Sequence, residues 1–201
     1  MLSITNVILG GFMPAKKSIT KQMILDTALK LLKERGLEAI NARCIAESLN
    51  CSTQPLYASF KNMDELKKEL KTKCQETYHS YIEFGIKNET TVYMQYLMSY
   101  INFASENPHL FEYLYMQKIT SDAEYDNTLN EIVISKIMEI SNISKEKAES
   151  FFLSSWIFAH GIATQIVTGY VKWDQNTIRH FLMEEFKALR LYYVEANNGS
   201  N

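Results

Sequence analysis

Residues 41–60 read NARCIAESLNCSTQPLYASF, and this stretch decides the fold. Its pattern predicts two short helices joined by a turn of about four residues. The first helix covers about 42–49, with Asn41 as its N-cap, because an asparagine side chain accepts hydrogen bonds from the free N–H groups of a first turn. Asn50 then suits the left-handed backbone that a turn requires. A helix-turn-helix is the result.

The second helix of this motif covers about 52–60. Ser52 or Thr53 is expected to cap it, and Pro55 is acceptable only because it falls in the first turn. Leu56 and Phe60 are one helical turn apart and are expected to point inward. The other side chains of the helix are therefore left on its outer face.

The whole chain is predicted to be all-α. It has 201 residues with 46% hydrophobic residues, but only seven glycines and three prolines, too few for the many tight turns of a β-sandwich or barrel. Apolar spacing of three and four residues predicts about nine helices. They cover residues 20–36, 42–49, 52–60, 64–87, 91–106, 108–115, 122–140, 144 through the uncharged stretch 150–171, and 174–196.

Charge is distributed unevenly along the chain. Residues 1–75 carry 12 Lys and Arg against seven Asp and Glu, whereas residues 76–201 carry nine against 16. A basic first third suggests a polyanion-binding head on an acidic body, although ordinary variation along a chain gives the same pattern. The three cysteines form no C-x-x-C pair, which favours a reducing cytoplasm, and Cys44 and Cys51 are expected to be small buried apolar residues.

Two apolar segments raise the question of export or membrane insertion. Residues 1–12 lack the positive start of a signal peptide and are interpreted as an extension before Met13. Residues 150–171 carry no Asp, Glu, Lys or Arg over 22 positions, which is long enough to span a bilayer. Seven polar side chains along their length favour a buried helix of a soluble protein instead. We therefore expect a cytoplasmic protein without a membrane partner.

A helix-turn-helix places its second helix in the major groove of DNA and its first across the backbone. Polar groups at helix ends position a protein on phosphates, and outward residues early in the second helix read bases. Two small helices and a turn also occur in proteins that never touch DNA, so shape alone leaves both possibilities open.

Residues 18–78 resemble the DNA-binding domain of the TetR/AcrR family of bacterial transcriptional regulators. The resemblance is carried by 24–28 (ILDTA), 34–36 (ERG), Arg43 with 45–47 (IAE), 52–60 and 61–66 (KNMDEL), with Leu56, Tyr57, Phe60, Lys61 and 64–66 (DEL) as its most diagnostic part. It implies a three-helix head over 18–78, preceded by an arm over 1–17. A larger regulatory domain for ligand binding and dimerisation follows over 79–201.

The expected DNA contacts divide into two kinds. Phosphates are assigned to Ser52, Tyr57 and Lys61, with Asn41 assisting, and bases to Thr53, Gln54, Pro55 and Ala58. Arg43 reaches either a guanine or a phosphate. Lys16 and Lys17 form an arm for phosphates or a minor groove, or else a solvated tail. The partner implied is a double-stranded operator with an inverted repeat, because paired half-sites supply the specificity that one recognition helix lacks.

A weaker resemblance concerns residues 106–111 (ENPHLF) and 156–161 (WIFAHG), which are similar to a regulatory domain of this family with a Trp, a His and a Gly in this order. The family implies a ligand cavity here, whereas the same residues also suit a plain core. A small hydrophobic or aromatic effector is expected. The candidate pocket residues are Met94, Met98, Phe103, Phe111, Tyr115, Met116, Gln117, Phe152, Trp156 and His160, of which His160, Gln117 and Tyr115 are the polar anchors.

The last two helices are expected to form a homodimer. Their candidate interface residues are Ile162, Ile166, Val167, Phe181, Phe186, Leu189 and Tyr193. Together these features predict a homodimeric repressor that a ligand releases from its operator. A ligand-dependent activator, and a helical ligand-binding or scaffold protein without DNA binding, are the alternatives.

An enzyme is disfavoured. The chain has no dinucleotide, phosphate-loop, nucleophile-elbow or H-E-x-x-H motif. Its four histidines share no metal-ligand spacing with one another or with the cysteines. We therefore expect neither a cofactor nor a metal.

Overall fold

In the computed structural model, residues 18–86, 91–118 and 128–195 are described. They form nine α-helices and no strand, which confirms the all-α prediction. The helices are α1 (Lys21–Arg35), α2 (Ala42–Ser48), α3 (Gln54–Ser59), α4 (Met63–Ile86), α5 (Val92–Glu106), α6 (Pro108–Tyr115), α7 (Thr128–Ser141), α8 (Lys145–Val167) and α9 (Gln175–Arg190). A 3₁₀ turn (Leu37–Ala39) follows α1, and a π-helical turn (Leu191–Glu195) follows α9.

Side-chain caps set most helix starts where the sequence places them. Thr20, Asn41, Ser144 and Asp174 each accept a hydrogen bond from the third residue of the helix that follows. Each bond satisfies one of the N–H groups that a helix start leaves without a partner. These helices therefore begin where local sequence dictates, with little dependence on the rest of the fold.

Three boundaries differ from the sequence prediction. Neither Ser52 nor Thr53 caps α3: Thr53 stands at the cap position but has helical backbone angles (φ −72°, ψ −9°), and its side chain makes no capping bond. A cap residue normally has extended backbone, which turns its hydroxyl toward the first turn. The helix α4 begins at Met63 rather than Asp64, and α9 gives way to a π-helical turn before 196. Residues 122–127 of the expected seventh helix lie outside the described residues.

The head consists of α1, α2, α3 and the first part of α4, packed around Ile24, Leu32, Ile45 and Leu56, all at most 1% exposed. Two ion pairs join α1 to α4 outside this core: Lys21 with Glu69, and Lys73 with Asp26. The hydrogen bond from Lys73 lowers the pKa of Asp26. The head is thus tied to the long helix α4, which continues past residue 78 without a break.

The body is built around α5. Every residue of this helix from Tyr93 to Ile101 is buried, because α4, α6, α7, α8 and α9 all pack against it. The thiol of Cys74, on α4, is also buried, and burial raises its pKa to about 12. Cys44 and Cys51 are only half-buried, contrary to the sequence expectation, because the short helices of the head leave them near the surface.

Among the described residues, α8 is the one helix long and apolar enough to cross a membrane by length and composition alone. One side of it packs on α5 and α7 through Phe151, Ser155, Ala159 and Ile162. Only 33% of its most apolar stretch is buried in the subunit, so much of its apolar surface faces outward.

Candidate nucleic-acid interface

The recognition helix α3 is fixed by two inward side chains. Leu56 is 1% exposed and Phe60 3%, as the sequence predicts, and both join the core of the head. The ammonium group of Lys21 lies 5.0 Å from the centre of the Phe60 ring, which adds a cation–π contact on that ring. Because both anchors face inward, the remaining side chains of α3 are directed to the other side.

That outer side holds the residues assigned to DNA. Gln54, Tyr57 and Ala58 are exposed, and Thr53 and Pro55 are half-buried. The Tyr57 ring stands 56% exposed although it is large and mostly apolar. A six-residue helix with a solvated amide and a solvated phenol near its start has the chemistry needed to meet a groove edge and a phosphate.

Asn41 is already engaged within the protein. Its Oδ1 accepts from the N–H of Cys44 at 3.0 Å, and its Nδ2 donates to the carbonyl of Glu38 at 3.1 Å. The structure therefore places this side chain at the joint between the 3₁₀ turn and α2, where it holds the start of α2.

Two cations and one hydroxyl flank α3. Arg43 is exposed on α2, and its Nε, which carries one of the five N–H groups of the guanidinium, donates to Glu47 at 2.8 Å. Ser52 and Lys61 are exposed at the two ends of α3. The backbone N–H of Lys61 donates to Glu65, which fixes its main chain at the start of α4. Lys16 and Lys17 lie outside the described residues.

An open groove of about 850 Å³ runs beside the turn between α2 and α3. Its walls are Ser18, Ile19, Glu47, Leu49, Asn50, Cys51, Ser52, Gln54 and Pro55. Asn50 has φ +51°, the left-handed value expected for the turn. The groove brings the predicted base readers Gln54 and Pro55 beside the first described residues of the chain, a proximity that sequence spacing alone did not indicate.

The body contains a cluster of aromatic rings from four helices. Phe103, Phe111, Tyr115, Trp156 and His160 of the predicted pocket all lie in it. The Trp156 and His160 rings stack with centroids 5.1 Å apart and an interplanar angle of 14°. Nδ1 of His160 lies 2.8 Å from the Tyr100 hydroxyl, and burial lowers the pKa of this histidine, which favours the neutral imidazole.

Two members of this cluster were missed from the sequence. Tyr100 contacts Phe111, Tyr115, Trp156 and His160, and Tyr78 contacts Tyr100, Phe103 and Tyr115 in edge-to-face geometry. Tyr78 was assigned to the head because it lies within the resemblance to the DNA-binding domain. Its helical spacing from Leu70 and Cys74 could have indicated that α4 carries one apolar stripe from the head into the body.

The other predicted pocket residues lie at different depths. Met94 and Met98 are buried on α5, and Phe152 packs against Tyr96. Met116 and Gln117 follow the end of α6 on the surface, and the Gln117 amide donates to the carbonyl of Glu112 at 3.4 Å. The structure thus brings His160 and Tyr115 together but leaves Gln117 at the edge.

The predicted interface residues of α8 and α9 are divided between the core and the surface. Ile162 is 4% exposed in the core of the subunit, and Phe186 packs between Tyr93 and Phe151 with ring centroids 5.0 and 5.7 Å away. The partly buried members are Ile166, Val167, Phe186, Leu189 and Tyr193. Phe181 is 39% exposed and stacks on Trp173.

The apolar side chains that α8 and α9 expose are mostly others. On α8 they are Leu153, Ile157 and Phe158, and on α9 Phe181 and Met183. We call these five residues the exposed apolar face. Ile162 lies in the core of the subunit and Phe186 is partly buried against that core, and the assignment of both to the dimer interface stays a prediction.

Within the described residues, no group of three or more His, Cys, Asp or Glu is placed to hold a metal ion.

Comparison with known proteins agrees with this geometry. The sequence model of the bacterial regulatory proteins of the tetR family matches residues 24–70, which cover most of α1 to the first part of α4. No curated protein sequence matches the chain. A solved structure of a member of the TetR family from Streptomyces coelicolor A3 shares 14% identity, with a TM-score of 0.59, over 82% of this chain and 96% of that one. A TetR-like transcriptional regulator from Rhodococcus sp. RHA1 shares 13%, with a TM-score of 0.54, over 92% and 99%.

Proposed function

We propose a repressor mechanism on the premise that this chain is a DNA-binding transcriptional regulator of the tetR family. In this mechanism two copies in the cytoplasm bind an inverted-repeat operator, and a small hydrophobic or aromatic effector releases them. The observation that carries the proposal is the recognition helix α3, anchored by Leu56 and Phe60 and presenting Gln54 and Tyr57 to solvent.

On the operator, α3 lies in the major groove. Gln54 offers its amide to an adenine, and Pro55 and Ala58 meet thymine methyl groups. Tyr57 and Lys61 bind phosphates, which fixes the register of the head on the duplex without selecting a sequence. Ser52 adds a hydroxyl at the start of α3. Arg43 contributes the N–H groups of its guanidinium that do not pair with Glu47.

Effector control is assigned to the aromatic cluster around Tyr100. Its rings come from α4, α5, α6 and α8, so a flat guest that enters among them displaces at least one of these helices. Two contacts connect α6 to the head: the Tyr113 hydroxyl donates to the carbonyl of Lys67 at 2.9 Å, and His109 lies against Gly36. A shift of α6 is thereby passed to both α4 and α1. An effector acts only to the extent that it favours one arrangement of the heads over the other.

Selection of duplexes from a random library by the full-length protein tests the DNA function. We expect the recovered sequences to share two half-sites related by a dyad, and one pair of chains to occupy each duplex. Recovery of unrelated sequences, with equal affinity for any duplex, would favour the scaffold alternative.

The effector class is tested by fluorescence. The chain has two tryptophans, so replacing Trp173 with Phe leaves Trp156 as the sole reporter, inside the cluster. A panel of flat aromatic and aliphatic compounds is then titrated with and without operator. Compounds that quench Trp156 and dissociate the operator support a repressor, and compounds that quench and strengthen binding support an activator.

A further inference from the structure

The carboxyl group of Glu185, on α9, is turned into the body rather than toward solvent. Its Oε2 lies 2.9 Å from the Tyr93 hydroxyl and its Oε1 lies 3.0 Å from Oγ of Ser155. The Tyr93 and Ser155 oxygens are themselves 2.6 Å apart. Three oxygen-bearing groups from α5, α8 and α9 thus form a closed triangle, which we call the Glu185 triangle. Tyr93 is 3% exposed and Ser155 is fully buried.

No cation faces this carboxyl among the described residues, whose polar contacts with Glu185 are the two hydroxyls. On α5 the one charged residue is Glu106, at the opposite end of the helix from Tyr93. On α8 no Asp, Glu, Lys or Arg follows Glu149, and His160 belongs to the aromatic cluster. The phenol of Tyr93 is the other titratable group of the triangle, and burial raises its pKa.

The charged groups of α9 itself also point elsewhere or lie at a distance. Glu184 pairs with Lys187 at 2.9 Å on the exposed side of the helix. His180 and Arg190 are exposed and five residues away in either direction, and Arg179 lies six residues away. An ionised carboxylate in the triangle would be buried without compensation by a positive charge, which is costly.

A count of the protons available to the triangle also favours a neutral carboxyl. The triangle has three short oxygen–oxygen contacts, and Oγ of Ser155 also donates to the carbonyl oxygen of Phe151 at 3.0 Å. With an ionised carboxylate, only the two hydroxyl protons are available for these four contacts. With a neutral carboxyl, Tyr93 donates to Ser155, Ser155 donates to Oε1, and the carboxyl donates to Tyr93. All three contacts of the triangle are then hydrogen bonds, and the Ser155 proton is shared with the Phe151 carbonyl.

We propose that Glu185 keeps its proton to a higher pH than an ordinary glutamate in the folded subunit and that its ionisation loosens α9 from the body, so that dimerisation and operator binding are sensitive to pH. The second part rests on the proposed function, in which α9 contributes to the dimer. The ring contacts of Phe186, next to Glu185, with Tyr93 and Phe151 place an aromatic anchor of α9 beside the triangle. Opening the triangle therefore loosens the same turn of α9 that seats this ring.

The direction of the pH effect follows from linkage. Burial raises the pKa of Glu185 above its ordinary value of 4.5, against a smaller opposing effect of the hydrogen bonds from Tyr93 and Ser155. A carboxyl with a raised pKa in the folded state contributes stability that is fully present below the unfolded pKa. That contribution is lost as the pH rises through the folded pKa. Each unit of difference corresponds to about a tenfold change in the unfolding equilibrium constant.

The test follows the carboxyl itself and the consequence for α9. Glutamate labelled at the side-chain carboxyl carbon is followed by NMR from about pH 4 to about pH 8.5, a range that covers ordinary and strongly raised carboxyl pKa values. We expect one late-titrating carboxyl in the wild type, absent from Glu185→Gln and retained in Glu184→Gln, the matched control one residue away on the exposed side. Amide exchange in α9, corrected for its intrinsic pH dependence, should increase over the same pH interval in the wild type and in Glu184→Gln. It should not increase in Glu185→Gln.

Each outcome decides a separate statement. If every glutamate titrates near its ordinary value, or if Glu185→Gln retains the pH dependence, the inference is overturned. Should Glu185→Gln fail to fold, Tyr93→Phe breaks the triangle while keeping the ring, and an unmoved late titration in that variant would also overturn it. Sedimentation of the wild type at about pH 6 tests the dimer on its own. A monomer there contradicts the proposed function, whereas the titration of Glu185 is decided by the NMR measurement alone.

Discussion

Tyr57 is a residue whose position has no evident structural reason. Its ring is 56% exposed on α3, and burial of a large aromatic side chain normally stabilises a small domain. A side chain left outside the core in this way is available to a partner. The phenol is suited to a phosphate oxygen, to which it donates one hydrogen bond.

Replacing Tyr57 by Phe removes only that hydroxyl. A hydrogen bond to a charged group is worth about 1.5–3 kcal/mol, so affinity should fall by this amount on the operator and on random duplex alike. Binding measured by fluorescence anisotropy at one fixed salt concentration gives both values. Tyr170→Phe, at an 83% exposed tyrosine of the body, is the control and should change neither. A loss confined to the operator would assign Tyr57 to base recognition.

Gln54 is expected to behave in the opposite way. Its exposed amide at the start of α3 can form a bidentate pair with adenine, and such a pair discriminates by about 1–3 kcal/mol. Gln54→Ala should therefore weaken the operator by that amount and leave random duplex nearly unchanged, in the same anisotropy assay. Gln117→Ala, at another exposed glutamine, serves as the control. Equal losses on both duplexes would contradict the division into base and backbone contacts.

At the level of single residues, the sequence predicted the inward anchors and the caps because these depend on a few neighbours along the chain. Leu56, Phe60 and the cap role of Asn41 follow from spacing and side-chain chemistry alone. Thr53 does not cap because its backbone has helical rather than extended angles, which its side-chain chemistry alone does not reveal. The DNA contacts assigned to these residues remain predictions, because the operator is the partner that tests them.

Among the elements, α6 joins the head to the body at a close contact. Gly36, just after α1, has φ +76° and ψ −174°, a region that is essentially restricted to glycine. A Cβ at this position would lie 3.2 Å from Nδ1 of His109, at the start of α6. The joint thus requires glycine for its backbone and leaves little room for a side chain.

Gly36→Ala should destabilise the protein by roughly 1–3 kcal/mol, the usual cost of a backbone held in a sparsely populated region. Urea unfolding of the purified protein measures this change. Gly169→Ala is a matched control, because Gly169 also has a positive φ (+72°) but nothing lies within 4 Å of the added atom. A larger loss at position 36 than at 169 would report the glycine-only backbone of Gly36 together with the contact with His109, whereas equal losses would show that neither adds to the cost of a positive φ.

Element boundaries could be predicted from the sequence more fully than element orientations. Helix α8 explains the difference, because it is apolar on nearly every side: Phe151 and Ile162 face the body, whereas Leu153 and Ile157 face outward. Periodicity indicates that a helix has an apolar face, but it does not decide which of two apolar faces meets the subunit core. The sequence assigned Ile162 and Phe186 to the dimer interface, and within the subunit the structure buries Ile162 in the core and packs Phe186 against it.

For the whole molecule, the exposed apolar face on α8 and α9 requires an occupant. Leu153, Ile157 and Phe158 are 54, 58 and 38% exposed, and large apolar side chains grouped in this way on one helix are available to a partner. A second copy is the occupant that the proposed function demands, since an inverted repeat is read by two heads related by a dyad. A two-fold axis would place the same face of each subunit against the other.

Ile157→Lys tests this arrangement and should convert the dimer into monomers, because the new charge would be buried in the interface without a partner. The side chain is solvated in a single subunit, so the monomer should stay folded, with unchanged circular dichroism and unfolding midpoint at low concentration. Sedimentation velocity measures the association state, and the affinity for a two-half-site operator should fall to that of a single half-site. Ile132→Lys, on α7 and 48% exposed, is the matched control and should remain dimeric.

A charge at Phe186 makes a poor probe by comparison, since that ring packs against Tyr93 and Phe151 and its loss would unfold the body. If Ile157→Lys sediments as the wild type does, the two subunits meet through another surface, and the assignment of the dimer interface to the exposed apolar face no longer applies.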